Sequence, residues 1–188
     1  IGTQSFEVLR KDNCIYVDKT EYFYKLITEG RVYFLSRPRR FGKSLTLTTL
    51  EAIFRNKKEL FKDLWIEKSD YKWQEYPIIK IDMGEVTRDN ENNLRIGLKK
   101  TLEEIAKKYE VEFNPKELVE ISFKNLIIRL TTKFNQKVVV LIDEYDKPIL
   151  DNIENLDLAI KIREILKSFY TILKSQDENI KFILLTGV

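Results

Sequence analysis

Four short runs of apolar, largely β-branched residues constrain this chain most: residues 31–36 (RVYFLS), 77–83 (PIIKIDM), 137–143 (KVVVLID) and 181–188 (KFILLTGV). Each is nearly continuous in apolar character, the pattern of a strand covered on both faces. Between the runs the spacing lengthens to three and four residues. Leu45, Thr49, Ala52 and Ile53 follow the first run, and Leu94, Leu98, Leu102 and Ile105 follow the second. Leu118, Ile121, Leu126 and Leu130 lead into the third, and Ile162, Ile165, Leu166, Phe169 and Leu173 precede the fourth. Buried strands alternating with amphipathic helices predict an α/β fold around a mostly parallel sheet. With 188 residues the chain is one domain, 1–188, long enough to bury a real core. No repeat, low-complexity tract or linker divides it.

Composition then narrows the chemistry. The chain has no histidine and a single cysteine, Cys14. Without histidine there is no Ser-His-Asp or Cys-His machinery and no His-containing zinc site. One cysteine excludes an internal disulfide and four-Cys metal sites, and it fits a reducing, cytoplasmic setting. Catalysis must rest on carboxylates, Lys, Arg, hydroxyls, backbone amides or a hard cation held by oxygens. The 33 Lys and Arg against 30 Asp and Glu leave a formal charge of +3, spread through mixed-sign segments, which is no nucleic-acid footprint by itself. No apolar run approaches the roughly 18 residues of a membrane span. The start, Ile1-Gly2-Thr3-Gln4, shows no signal-peptide pattern. The end falls on a buried-strand pattern, so the expectation is a domain core that continues in a longer polypeptide.

The first run leads directly into Arg37-Pro38-Arg39-Arg40-Phe41-Gly42-Lys43-Ser44 and then a helical pattern. Set against G-x-x-x-x-G-K-[ST], this octapeptide matches at Gly42, Lys43 and Ser44 and carries Arg37 in place of the first glycine. The spacing has a chemical reason. Backbone N–H groups of such a turn and of the helix start point into one concavity and favour anions. Gly42 lets the backbone approach phosphate, Lys43 reaches the β- and γ-phosphates, and Ser44 offers a hydroxyl to Mg²⁺. Arg39, Arg40, Phe41 and Leu45 complete the expected cradle. A glycine cap beside a surface lysine is the plainer alternative. Arg37 disfavours the positive φ that glycine supplies, so the loop must open differently from the standard one or Arg37 must point away.

The third run ends in Asp143-Glu144. At the carboxyl end of a buried strand the first acid can join Ser44 in a Mg²⁺ shell, and the second can polarise an attacking water. Ordinary strand-end charge capping the next helix is the competing reading. Asp146 reads as the cap of the turn before Pro148, with a metal role as the alternative, and Asp82 as a turn former rather than a ligand. Asp18-Lys19-Thr20-Glu21 has the form of a capping box, with Gly30 as the residue just past that helix. Residues 56–76, with Trp65, Tyr71, Trp73 and Tyr76, read as a short helix and loop packed on the sheet, or as a stacking surface for bases.

Tyr16-Val17-Asp18-Lys19-Thr20, the Ser36-to-Ser44 string and Ile142-Asp143-Glu144-Tyr145-Asp146-Lys147-Pro148 together resemble the predicted AAA-ATPase-like family of bacteria and archaea, over nearly the whole chain. The resemblance implies a P-loop NTPase three-layer sandwich that uses ATP and Mg²⁺ and releases ADP, with Arg37 as the family's own variant of the loop. The strand ending in Thr186 would lie between the phosphate-loop strand and the Asp143 strand, where Thr186 would contact the γ-phosphate or the water. The run at 77–83 would be outermost. Tyr16 would lie near the adenine, although a helix cap packed on the sheet explains its segment equally well. Larger members carry a C-terminal nuclease-like domain of the PD-(D/E)XK class, which would make nucleic acid a partner of the full-length protein. A nucleotide-controlled module with little turnover, or a small-molecule kinase, are the rival activities. The oligomeric state is left open.

Overall fold

The four apolar runs form strands β1 (Val32–Ser36), β2 (Ile78–Asp82), β3 (Val138–Asp143) and β4 (Ile180–Gly187). They stand in the order β1-β4-β3-β2, every neighbouring pair parallel. This is the order expected, with the Thr186 strand between the other two motif strands. The computed structural model describes residues 3–188, so Ile1 and Gly2 of the Ile1–Gln4 start lie outside the described residues. Helices α1 (Phe6–Lys11), α2 (Thr20–Glu29) and α3 (Lys43–Phe54) supply one face. Helices α4 (Glu91–Lys108), α5 (Val119–Phe134) and α7 (Leu156–Ser175) supply the other, and the short α6 (Lys147–Leu150) follows β3. No helix among the described residues is long and apolar enough to cross a membrane.

Strand alternation divides the core into two layers. Ile79, Ile81, Val138, Val140, Ile142 and Ile183 point to one side and pack with Leu98, Leu102, Leu126 and Leu166, where Phe123 stacks on Phe169 at 4.4 Å. Ile78, Val139, Leu141, Phe182 and Leu184 point to the other and meet Leu47, Leu50, Ile53 and Phe54 of α3. β3 is buried along its whole length. β1 is not covered on both faces as its run suggests. Val32 and Phe34 remain 60% and 52% exposed, because the helices of that side pack over β2, β3 and β4.

Two local expectations are corrected and a third is decided. The buried stripe of α5 is Val119, Phe123, Leu126, Ile127 and Leu130, and Leu118 and Ile121 face solvent. Apolar residues on both sides of the stripe made the helix phase ambiguous. The capping box does not form. α2 begins at Thr20, the cap position is Lys19, and Asp18 instead accepts from the Thr20 N–H and hydroxyl (2.8 and 2.7 Å) and from the Trp65 N–H (2.6 Å). Thr20, wholly buried, in turn accepts from the Ile66 N–H at 3.0 Å. Long-range partners therefore won over the local cap. Residues 56–76 form two 3₁₀ turns and an extended stretch, with Trp73 packed on Phe61 at 5.2 Å and on Tyr71 at 5.3 Å. The packing reading of this segment is the one observed, with Trp65 set edge-on to Tyr24 and Tyr76 to Phe54.

Among the described residues one buried side-chain group is left unsatisfied. The Ser122 hydroxyl in α5 has no hydrogen-bond partner. A buried hydroxyl without a partner costs about 1–3 kcal/mol, so Ser122→Ala is expected to stabilise the protein by about 1 kcal/mol. The check is a higher urea midpoint with unchanged m.

Candidate functional site

Parallel pairing brings all four strand ends to one rim of the sheet. Leu35 is in register with Thr186, Ser36 with Gly187, and Asp82 with Asp143. The loop at residues 37–44 begins inside that ladder, where the Arg37 N–H donates to the Gly187 carbonyl at 3.3 Å. Arg37 therefore does not occupy a left-handed position. The left-handed residues are Arg40 (φ 68°) and Gly42 (φ 78°), so the permissive glycine conformation has moved three residues along the loop. Gly42 caps α3, and the Thr46 N–H reaches its carbonyl at 2.9 Å. Left-handed residues at such a turn aim successive N–H groups into one concavity. Lys43 is nearly buried and donates its Nζ to the carbonyls of Arg37 (2.8 Å) and Pro38 (3.1 Å), which draws the loop around its ammonium.

Asp143 sits in the middle of the rim, 5% exposed, with both oxygens engaged. Its Oδ2 accepts from the Ser44 hydroxyl at 2.6 Å, which joins the first turn of α3 to the end of β3 across 99 residues of sequence. Its Oδ1 accepts from the Thr186 hydroxyl and from the Glu144 N–H at 3.0 Å. Glu144 has a left-handed backbone, φ 50°, and its Oε2 lies 3.6 Å from the Lys147 ammonium. Ser44, Asp143, Glu144 and Thr186, each expected at a common site from the sequence, are thus brought together.

Two members of the rim escaped the sequence reading. Asp82 does form the expected turn, its Oδ1 accepting from the Gly84 N–H at 2.7 Å. It also lies beside Asp143, and it lines a cavity of about 280 Å³ together with Ser44 and Asp143. Gly84 is the second. A Cβ there would stand 2.8 Å from Glu144 Oε2 and 2.9 Å from Asp82 Oδ1, so its missing side chain is what lets the two carboxylates approach. Burial, and then the charges of Asp143 and Glu144, hold the Asp82 carboxyl above its usual range. Lys147, three residues past Glu144, carried only the weak signal of helical spacing.

On the other side of the loop, Tyr16, Phe23, Phe41, Gly42 and Leu45 line a second cavity of about 230 Å³. Tyr16 packs edge-on against Phe6 at 5.1 Å, and burial pushes its hydroxyl up to about 12. Phe41, Arg39 and Arg40 are exposed, and Leu45 is half-buried. Asp146 stands at the cap position of α6 but makes no side-chain cap, because its Oδ2 accepts from the Val188 N–H at 3.0 Å and ties down the end of β4.

A family model described as Predicted AAA-ATPase matches residues 1–188. A protein of Azotobacter chroococcum mcd 1, described as an uncharacterized protein in the vnfD 5′ region, is 38% identical over 192 residues, which covers 100% of this chain and 36% of that protein. The chain thus spans little more than a third of the relative it matches. No solved structure matches it.

The raised Asp82 carboxyl has a consequence for stability. An acid whose folded pKa lies above its unfolded value binds more protons when folded, so stability falls as pH rises through that window, and the penalty is complete above it. Asp82→Asn keeps an oxygen for the Gly84 N–H and removes the charge. It is expected to melt about 2–4 °C above wild type near pH 7.5. The gap should close as pH falls toward the unfolded carboxylate range near about 4. Thermal melts across pH check this.

Proposed function

The chain belongs to the predicted AAA-ATPase family, and on that premise we propose that it binds ATP with Mg²⁺ and hydrolyses it to ADP and phosphate. The observation that carries this reading is the 2.6 Å hydrogen bond between Ser44, at the start of a helix behind a lysine-bearing loop, and the buried Asp143 at the end of a neighbouring strand. The donor set fits Mg²⁺, a hard cation that takes one or two protein oxygens and completes its shell with phosphates and water. Among the described residues no three His, Cys, Asp or Glu side chains gather to hold a metal alone. Bound there, the ion would neutralise charge on the β- and γ-phosphates.

The protein's own residues do the rest. Lys43 exchanges its loop carbonyls for phosphate oxygens, and the loop amides from Arg39 to Ser44 cradle the anion at the helix start. Arg39 and Arg40 add positive potential. Phe41, Leu45 and Tyr16 offer an apolar wall for the adenine. Glu144 accepts a proton from the attacking water as its oxygen bonds to the γ-phosphorus and the bond to the bridging oxygen breaks, leaving ADP and inorganic phosphate. A carboxylate base suits a chain without histidine. The setting is the cytoplasm, where ATP and a reducing environment coincide. In a longer protein the same domain would drive or gate an attached nuclease-like domain, with nucleic acid as that domain's ligand.

One observation favours a second reading. Lys147 lies 3.6 Å from Glu144 Oε2, an ion pair that the carboxylate must leave to reach a water at the γ-phosphate. That suits a nucleotide-bound switch with slow turnover. Titration of Mg²⁺-ATP and steady-state phosphate release separate the two readings. Wild type is expected to bind and release phosphate, Lys43→Ala to lose binding, and Glu144→Gln to bind while release falls about 100-fold or more. Binding without release above the Lys43→Ala background would leave only the switch.

A further inference from the structure

We propose that Thr186 is a positioning residue that holds Asp143 in its metal-binding orientation, and that its hydroxyl does not contact the γ-phosphate. The proposal rests on the nucleotide reading above and departs from the contact that reading would give a polar strand tip. Thr186 is wholly buried. Its hydroxyl has a single proton, and that proton goes to Asp143 Oδ1. The Thr186 hydroxyl oxygen itself accepts from the Glu144 N–H at 3.4 Å, and the Thr186 carbonyl accepts from the Tyr145 N–H at 2.9 Å. Its hydroxyl and its carbonyl are both directed at β3 and the turn that follows it.

The two oxygens of Asp143 consequently differ. Oδ1 is anchored by the Thr186 hydroxyl and the Glu144 N–H, whereas Oδ2 faces Ser44 alone. Ser44 and Oδ2 form the hard-oxygen pair, and Oδ1 is the handle that fixes their geometry. Outer partners of this kind set ligand orientation, and their loss typically weakens metal binding about 10–100-fold. Donation to a phosphate oxygen would require Thr186 to give up Asp143. β-Branching restricts its side chain to few rotamers, and a buried position allows little reorientation.

ADP separates the two roles because it has no γ-phosphate. The measurement is the Mg²⁺ affinity of the 188-residue protein with ADP and with a non-hydrolysable ATP analogue, beside nucleotide affinity in excess chelator. Thr186→Val keeps the shape and deletes the hydroxyl. It is expected to weaken Mg²⁺ about 10–100-fold in both complexes and to leave metal-free nucleotide affinity within about twofold. Thr186→Ser should restore Mg²⁺ affinity to within about threefold of wild type. If the valine variant does not fold, Thr186→Cys, a similar-sized side chain with only a weak donor, replaces it with the same expectation. A loss confined to the ATP-analogue complex, or no loss in either, overturns the positioning role. Should wild type bind Mg²⁺ no better with nucleotide than Lys43→Ala does, the nucleotide reading itself falls and takes this proposal with it.

Discussion

A carboxylate taken out of water must be paired or heavily hydrogen-bonded, because its desolvation is otherwise prohibitive. Asp143 is such a group. It meets the requirement with a hydroxyl from α3, a hydroxyl from β4 and the next backbone N–H in its own chain. Each donor belongs to a different part of the fold, so satisfying one acid fixes three elements relative to one another. β4 must lie beside β3 in the register that puts Thr186 next to Asp143. α3 must begin close enough for Ser44 to reach the other oxygen. The apolar layers could tolerate small slides, but this contact cannot.

The loop at residues 37–44 is shaped by the same demand. Its length carries the chain from β1, one strand beyond β4, to a helix start above β3, and Lys43 holds the turn together through two of its carbonyls. A left-handed backbone at a non-glycine residue costs about 1 kcal/mol. The structure accepts that cost at Arg40, in the loop before α3, and again at Glu144, just past the end of β3. Strain of this kind persists where surroundings over-determine it and is concentrated at functional positions. Glu110, also left-handed, has a local explanation. It ends α4, where the Val111 N–H turns back to the Ala106 carbonyl at 3.0 Å.

Much of this was legible in the amino-acid order. β-Branched runs separated by helical periodicity lead directly to an all-parallel sheet, since a strand buried on both faces needs helices on both sides. The Gly-Lys-Ser and Asp-Glu motifs lie at the ends of such runs, and both were identifiable without coordinates. What stayed hidden depends on pairing. Asp82 reads as a turn residue because its Gly84 contact is local, whereas its place beside Asp143 follows only from strand register. Asp18 reads as a helix cap because a cap is the local solution, but the Trp65 N–H, 47 residues away, draws it elsewhere. α5 had apolar residues on more faces than it buries, so periodicity alone could not phase it. β1 carries the same buried-strand pattern as the others, because the apolar character of a run does not report how far the helices cover its strand.

The rim of the sheet ultimately arranges its carboxylates by asymmetry of environment. Asp143 is anchored at one oxygen and open toward Ser44 at the other. Asp82 is held by the Gly84 N–H, and burial, with the charges of its acidic neighbours, raises its carboxyl above the usual range. Glu144 stands on a strained backbone between Lys147 and the space above Gly84, and the Lys147 ammonium also lies 3.9 Å from Asp151. Asp151 in turn accepts from Arg88, which donates to the Met83, Gly84 and Val86 carbonyls. A chain of ion pairs and hydrogen bonds therefore runs from the proposed base to the turn that bounds it. Any shift of Glu144 toward a bound nucleotide must change the charge balance on Lys147, and through Asp151 and Arg88 the hold on that turn. The proposed base is thus linked, through Lys147, Asp151 and Arg88, to the turn that follows the outer strand β2.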